Sequence, residues 1–495
     1  MILAVDIGTS TFKAALFTAA GECKKIVTLP LAIALSDGVR HEAESAQWLR
    51  AFEESVVQLG GVSLVEALVI GGNGPSLVPV IGAPGLTAQP GAALELPAAA
   101  ARLWLDRRSQ EESVTVSAIM GAYVDPGFFL PKCLWIKNNE AALYEKTKCF
   151  LSCPEYLIYA LTGEARTVFP SQGFDRWYWN DEVLDKAGLD REKFPPFVSP
   201  GETIGTLLPA VVRRFGFSAT AGGAGHSGVA AGGGIPVIAG GPDFFASILG
   251  VGAVHPGEAC DRSGTSEGIN VCTAGRIVDA RLMSYGHPVK PYWNLSGIIS
   301  TTGKAIVWAR ELLGIDGEPF ENFFELAGSA AGGGTPVFLP YLAGERAPIW
   351  DPKARGVFLG LSLSSGRAEL ARSVAEGICF AIRDVVTVME ECGAELRELR
   401  VSGHPGESDF LNQLKADITG KDVLAPVQKD AELAGLAALG AAALGTYSSA
   451  GEAANAMVKI RRVYHGDEKK AALYEGLFAQ YRETYRALKP LFTGH

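Results

Sequence analysis

The chain has no run of basic residues, and its 44 Lys and Arg are outnumbered by 54 Asp and Glu, for a net charge of −10. That balance repels polyanions, so neither nucleic acid nor a membrane surface is expected as a partner. The eight cysteines include no Cys-x-x-Cys pair and no Cys/His spacing of a zinc site. Cys149 and Cys153 stand four apart and are expected on one face of a helix; the thiols are expected to be buried and reduced, as in a cytoplasmic protein. No apolar run suits a membrane span: the longest stretch of small apolar residues, 433–444, is short and broken by glycine. The amino terminus enters an apolar strand without a basic lead-in, so no signal peptide is expected. What is present is an ordinary globular composition, 48% hydrophobic and 20% charged over 495 residues, with room for two or three domains.

The opening residues carry the first chemical signal. An apolar run ends at Asp6, turns through Gly8-Thr9-Ser10 and re-enters an apolar stretch past Lys13. This predicts a strand, a tight turn and a second strand, in other words a β-hairpin. Successive backbone N–H groups in such a turn make an anion-binding concavity, and glycine permits close approach. Asp6 is placed to order a magnesium ion through water, and Lys13 to meet a phosphate oxygen as a point charge. An ordinary hairpin with a polar turn fits the same pattern.

Further along, strands are expected at 26–31 and 64–70, with a helix over 43–59; the second strand ends at Gly71-Gly72-Asn73-Gly74-Pro75. Residues 221–234 hold so much glycine that they read as a flexible insertion. After them, a strand at 235–239 ends in Gly240-Gly241-Pro242-Asp243, and a second strand-turn-strand follows around Gly264-Thr265-Ser266. Two such turns, one in each half, predict a duplicated α/β protein, closed by an alanine-rich helix at 433–444 and a charged helical tail at 467–488.

These residues resemble the FGGY carbohydrate kinases of the actin-like ATPase superfamily, and the resemblance runs along nearly the whole chain. Asp6-Ile-Gly-Thr-Ser10 with Lys13 resembles the first phosphate loop, and Gly264-Thr265-Ser266 the second. Trp104-Leu-Asp106-Arg-Arg108 resembles the substrate-side Trp-x-Asp-x-Arg motif, and Gly240-Gly-Pro-Asp243 the Gly-Gly-x-Asp of the catalytic aspartate. The segment from Pro126 through Lys132 to Trp135 resembles the first family signature, and the stretch from Gly356 to Ile378 the second. Phe338-Leu-Pro-Tyr-Leu-Ala-Gly-Glu345-Arg346-Ala-Pro348 is similar to a segment of xylulokinase-like members.

The resemblance implies two duplicated actin-like, ribonuclease H-like domains, 1–245 and 246–495, with nucleotide and sugar in the cleft between them. It implies an ATP- and magnesium-dependent kinase acting on a primary hydroxyl of a small ketose or polyol. Asp243 is the general base, with capping of the helix that starts at Phe244 as a compatible role. Asp6, Gly8, Thr9, Ser10, Lys13, Gly264, Thr265, Ser266, Gly303, Gly403 and Gly406 are the nucleotide contacts. Asn73, Trp104, Asp106 and Arg108 are the substrate contacts, and Asp6 with Asp243 the water-mediated metal contacts. His404 shapes a loop next to adenine; Trp177, Tyr178 and Trp179 fit either a cleft lip or surface packing. Glu345 and Arg346 read as a buried ion pair holding the domains in register. A cytoplasmic location is expected, and a homodimer is compatible. A non-catalytic actin-like binding protein or a degenerate member of the family is the alternative. The sequence departs from xylulokinases at Gly74-Pro75, which stand where those proteins have Met-His, and at Gly403-His404-Pro405-Gly406, where the family has Gly-Gly-Gly-Ala. The first departure makes D-xylulose an expected poor substrate.

Overall fold

A computed structural model describes residues 1–85, 93–218, 234–331 and 334–492. The chain divides into two units, one of Met1–Gly250 with Glu432–Met457, the other of Val251–Ala431 with the chain from Val458 onward. A single cut after residue 245 therefore misses a return crossing: the alanine-rich helix and its successor pack with the first unit. The glycine-rich stretch read as an insertion lies, apart from Gly234, outside the described residues.

In the first unit, β1 (Ile2–Ile7) and β2 (Thr11–Phe17) form the expected hairpin, extended antiparallel by β3 (Cys23–Pro30). On its other side β1 runs parallel to β4 (Ala67–Gly72). An antiparallel edge strand, β5 (Thr203–Thr206), completes the sheet beyond β6 (Pro236–Pro242), which is parallel to β4. Every residue of β1 and β4 is buried, as central strands covered on both faces should be.

The second unit repeats this plan. Its strands β7 (Glu258–Ser263) and β8 (Glu267–Thr273) form a hairpin, and β9 (Met283–Gly286) and β10 (Trp293–Ile299) extend it antiparallel. Two parallel strands, β11 (Glu398–Ser402) and β12 (Asp422–Pro426), follow on the far side of β7, with β13 (Ile460–Tyr464) antiparallel at the edge. Three antiparallel strands, two parallel ones and an antiparallel edge recur in the same spatial order, with β9 added at the outer edge of the second sheet, so the duplication predicted from the two turns is present. Each unit has its own apolar core, one around Phe12, Trp48 and Phe52, the other around Phe338, Phe380 and Tyr481.

Local differences have simple causes. Residues 41–43 form a short strand, so the first helix starts at Ala46, after Ser45. Cys149 lies in a strand, Cys149–Leu151, and Cys153 opens the next helix, Cys153–Thr162, so the two do not share a helix face. Ser152 and Glu155 start that helix as a capping box, which stops the strand. None of the eight cysteines is in a disulfide, and six are buried. Among the described residues no helix is long and apolar enough to cross a membrane.

Candidate active site

In the first unit the sheet register gathers the polar residues at one edge. Ile7 lies beside Gly72 on one side and Pro242 beside Gly72 on the other, so Asp6 and Asp243 lie at the carboxyl ends of the two parallel strands that flank β4. Ligands bind at this edge in open α/β sheets. Burial first, and then the charge of Glu155, push the thiol of the buried Cys153 well up. The turn Gly8-Thr9-Ser10 is closed by a 2.8 Å bond from the Gly8 amide to the Thr11 carbonyl. Asp6 and Lys13 stand opposite each other in the ladder below it. Asp243 is the first residue of the helix Asp243–Gly250, and its Oδ1 accepts the Phe244 N–H at 2.7 Å.

The acceptor-side motif reaches this turn directly. Trp104 Nε1 donates to Thr9 Oγ1 at 2.9 Å, while the indole remains 36% exposed. Asp106 has no exposed surface; its oxygens accept the His41 amide at 2.8 Å and the Arg108 guanidinium at 2.7–3.1 Å. Burial works to raise its pKa, but the Arg108 side chain and the His41 and Arg108 amides outweigh it and hold the carboxyl low. Arg108 also bonds Glu42 at 2.7 Å and lies over the Trp135 ring at 5.0 Å. Asp106 and Arg108, the expected substrate contacts, are paired with each other, and Arg108 with Glu42, within the loop that follows Trp104. Asn73 is tied down in the same way, donating to the Ile7 carbonyl at 3.1 Å and accepting from Ser76 at 2.8 Å.

Lys132, named above only as part of a signature, proves to be a staple of these loops. Its wholly buried ammonium donates to the carbonyls of Pro75 (2.9 Å), Arg102 (3.3 Å) and Leu103 (2.7 Å). Burial pushes its pKa down to about 7.

In the second unit the turn Gly264-Thr265-Ser266 is closed by the Gly264 amide and the Ser266 carbonyl at 2.9 Å. The helix Gly303–Leu312 begins against it, with the Gly303 and Lys304 amides donating to the Gly264 and Thr265 carbonyls. A Cβ on Gly303 would come within 2.1 Å of the Gly264 carbonyl oxygen, and one on Gly403, at φ +82°, within 1.8 Å of that of Ser263. Gly403 and Gly406 line a cavity of about 200 Å³ with Val401, Ser402, Ala425, Pro426, Gln428, Lys429 and Arg461. None of these seven was named from the sequence; Val401 and Ser402 lie on β11 just before the loop, and the other five come from β12, the residues that follow it, and β13. His404, within this loop, has its ring 4.7 Å from that of Phe320 and tilted to it by 43°. A larger, shallower depression of about 490 Å³ near Arg50, Glu53 and Arg214 holds none of the candidate residues.

One further reading changes, and one is decided between its alternatives. Glu345 accepts the backbone N–H groups of Ser300 and Arg346, both at 2.7 Å, so amides rather than a guanidinium hold it, and these partners belong to the second unit. Tyr178 and Trp179 are buried among Phe129, Phe169, Phe194 and Phe197, and Trp177 stacks on Phe128, so this aromatic group is packing.

Residues 1–250 match the N-terminal domain, and residues 262–444 the C-terminal domain, of the FGGY family of carbohydrate kinases. The chain belongs to that family. It is 28% identical to the xylulose kinase of Escherichia coli (strain K12), over 99% of this chain and 100% of the relative. It is 29% identical to the glycerol kinase of Citrifermentans bemidjiense, over 91% and 92% of the two chains. A solved structure described as a xyloylose kinase from Brucella ovis superposes with a TM-score of 0.82 at 25% identity, covering 99% of each chain. This FGGY kinase therefore has both family domains and the two-unit α/β fold of sugar kinases.

Proposed function

We propose that this FGGY kinase transfers the γ-phosphoryl group of ATP to a primary hydroxyl of a small ketose or polyol, with Asp243 as general base. The observation that carries the reading is the gathering of Asp6, the Gly8-Thr9-Ser10 turn and Asp243 at one edge of a sheet, with Trp104 hydrogen-bonded into the turn. The relatives include xylulose and glycerol kinases at nearly equal identity, which supports a sugar or polyol acceptor without selecting one.

Phosphoryl transfer asks a protein for positioning and charge neutralisation more than for covalent chemistry. Asp243 takes the proton of the attacking hydroxyl, and the Phe244 N–H orients its carboxylate. Trp104 offers an apolar wall to the C–H face of the acceptor, and the Lys132 bond to the Leu103 carbonyl fixes the chain next to it. In the second unit the cavity beside Gly403 and Gly406 suits the adenosine group, and the 264–266 turn suits phosphate. Two carboxylates, Asp6 and Asp243, suit magnesium, which is held by one or two carboxylates plus water and phosphate oxygens. When bound, the ion neutralises charge on the β- and γ-phosphates.

Asp243→Asn tests the reading, because the amide keeps the shape and removes the basicity. The variant is expected to bind ADP and acceptor as the wild type does in calorimetry, while ADP release falls by ~10²–10⁴-fold. Near-normal turnover in the folded variant would reject Asp243 as the base.

A further inference from the structure

A buried charge cluster lies directly under the second turn. Lys415 Nζ is 2.5 Å from Asp261 Oδ2, 2.6 Å from Glu267 Oε1 and 3.2 Å from Ser263 Oγ, and Ser263 Oγ donates to Glu267 at 2.6 Å. Lys415 and Asp261 have no exposed surface, and Glu267 and Ser263 almost none. Ser263 and Glu267 are the paired residues that flank the 264–266 turn. The cluster therefore grips both stems of the turn and ties them to the helix Asp409–Thr419.

One turn earlier on the same helix, Asn412 is wholly buried and donates to the Gly406 carbonyl at 2.8 Å, in the wall of the cavity beside Gly403. Asn412 and Lys415 are three residues apart and so share a helix face. Apolar side chains, Leu411, Leu414 and Ile418, supply the packing of this helix. A buried ion cluster adds little stability over apolar residues of similar volume, and its best-attested use is to fix register. Two carboxylates opposite one ammonium also balance only if one carboxyl keeps its proton. Burial first, and then the charge of Glu267, push Asp261 well up; Lys415 holds Glu267 low against its own burial.

We propose that Lys415 is a positioning residue for nucleotide: through Asp261, Ser263 and Glu267 it fixes the phosphate turn in register with the adenosine loop that Asn412 holds from the same helix. The inference rests on reading 264–266 as a phosphate turn.

The test replaces the cluster by apolar residues, Asp261→Val, Glu267→Leu and Lys415→Met together, and measures ADP binding by calorimetry beside thermal unfolding. The triple variant is expected to unfold near the wild-type temperature and to bind ADP on the order of tenfold more weakly. The KM for acceptor is expected to stay within about twofold, because the acceptor residues lie on the other unit. A folded triple variant with wild-type ADP affinity, or with ADP and acceptor weakened equally, overturns the inference. If the wild type itself binds no ADP, the phosphate-turn reading falls with it. Should the triple variant not fold, wild-type amide hydrogen exchange decides. ADP is expected to slow exchange at 264–267 and 411–415 together; protection of the turn alone overturns the inference.

Discussion

Glycine does two different jobs around the second turn, and substitution separates them. At Gly403 the protein itself forbids a side chain: the Cβ would sit 1.8 Å from the Ser263 carbonyl oxygen, at φ +82°. Gly264 has protein room for one, since its Cβ would meet nothing closer than the Ser266 carbonyl oxygen at 3.5 Å. Gly403→Ala is therefore expected to lose at least about 2 kcal/mol of stability, from left-handed strain and the clash. Gly264→Ala is expected to keep the wild-type unfolding temperature and still weaken ADP by about tenfold, because in a phosphate-wrapping turn an added methyl blocks close approach of the backbone. Thermal unfolding beside calorimetry reads both variants. Unchanged ADP affinity in Gly264→Ala would remove that turn from the nucleotide site.

At the scale of elements, the strand-turn-strand units were legible because their turns carry Gly-Thr-Ser between apolar runs, and because each acid or glycine in them has a local reason. The helix Ala431–Ala443 was legible as a helix but its allegiance was not. It is small and apolar around much of its circumference, so no stripe says which sheet it covers; its glycines decide. Gly435 lies against the Ala246 carbonyl and Gly440 against Ile2 and Val69, so the helix sits directly on the first unit. The buried cluster at Lys415 was illegible for another reason: Asp261, Glu267 and Lys415 meet only after β7, β8 and a helix some 150 residues away in the chain assemble. Glu345 was found as a charged residue in an apolar segment, and its partners were misjudged because backbone amides leave no mark in a sequence. It staples the 345–351 loop to Ser300, and burial pushes its pKa up to about 7, against the pull of the Ser300 and Arg346 amides. A carboxyl whose folded pKa is raised contributes stability that is complete below the unfolded value of 4.5 and is lost as pH rises through 7. Glu345→Gln is expected to flatten that fall, by up to about 3 kcal/mol between pH 4.5 and 7 relative to wild type. Denaturant unfolding across that window reads it; parallel pH profiles for the two proteins would show that Glu345 is ionised in the folded state.

For the molecule as a whole, duplication divides the chemistry. On the proposed function the first unit carries the acceptor contacts and the general base and the second the nucleotide contacts, so acceptor choice is expected to be set by the first unit. Its acceptor-side loops are held rigidly: Lys132 bonds three carbonyls across them, Asn73 is fixed to Ile7 and Ser76, and Arg108 is locked by Asp106 and Glu42. Gly74 contrasts with this. A Cβ there would meet nothing within 4 Å, so the loop leaves open space where a larger residue would stand as a wall. A pocket without a polar partner for one hydroxyl discriminates poorly for it, because such selectivity comes from buried groups left unpaired by the wrong substrate. D-xylulose is accordingly expected to be a poor substrate, with another ketose or a polyol preferred by about tenfold or more in kcat/KM. Steady-state kinetics on D-xylulose, L-xylulose, D- and L-ribulose, L-fuculose, glycerol and erythritol would settle the ranking. The companion variant Gly74→Met tests the cause, since a side chain filling that space should change KM among acceptors while leaving the KM for ATP alone. If D-xylulose gives the highest kcat/KM of the panel, selection lies with Trp104 and the rigid loops around it, and the open space at Gly74 has no part in it.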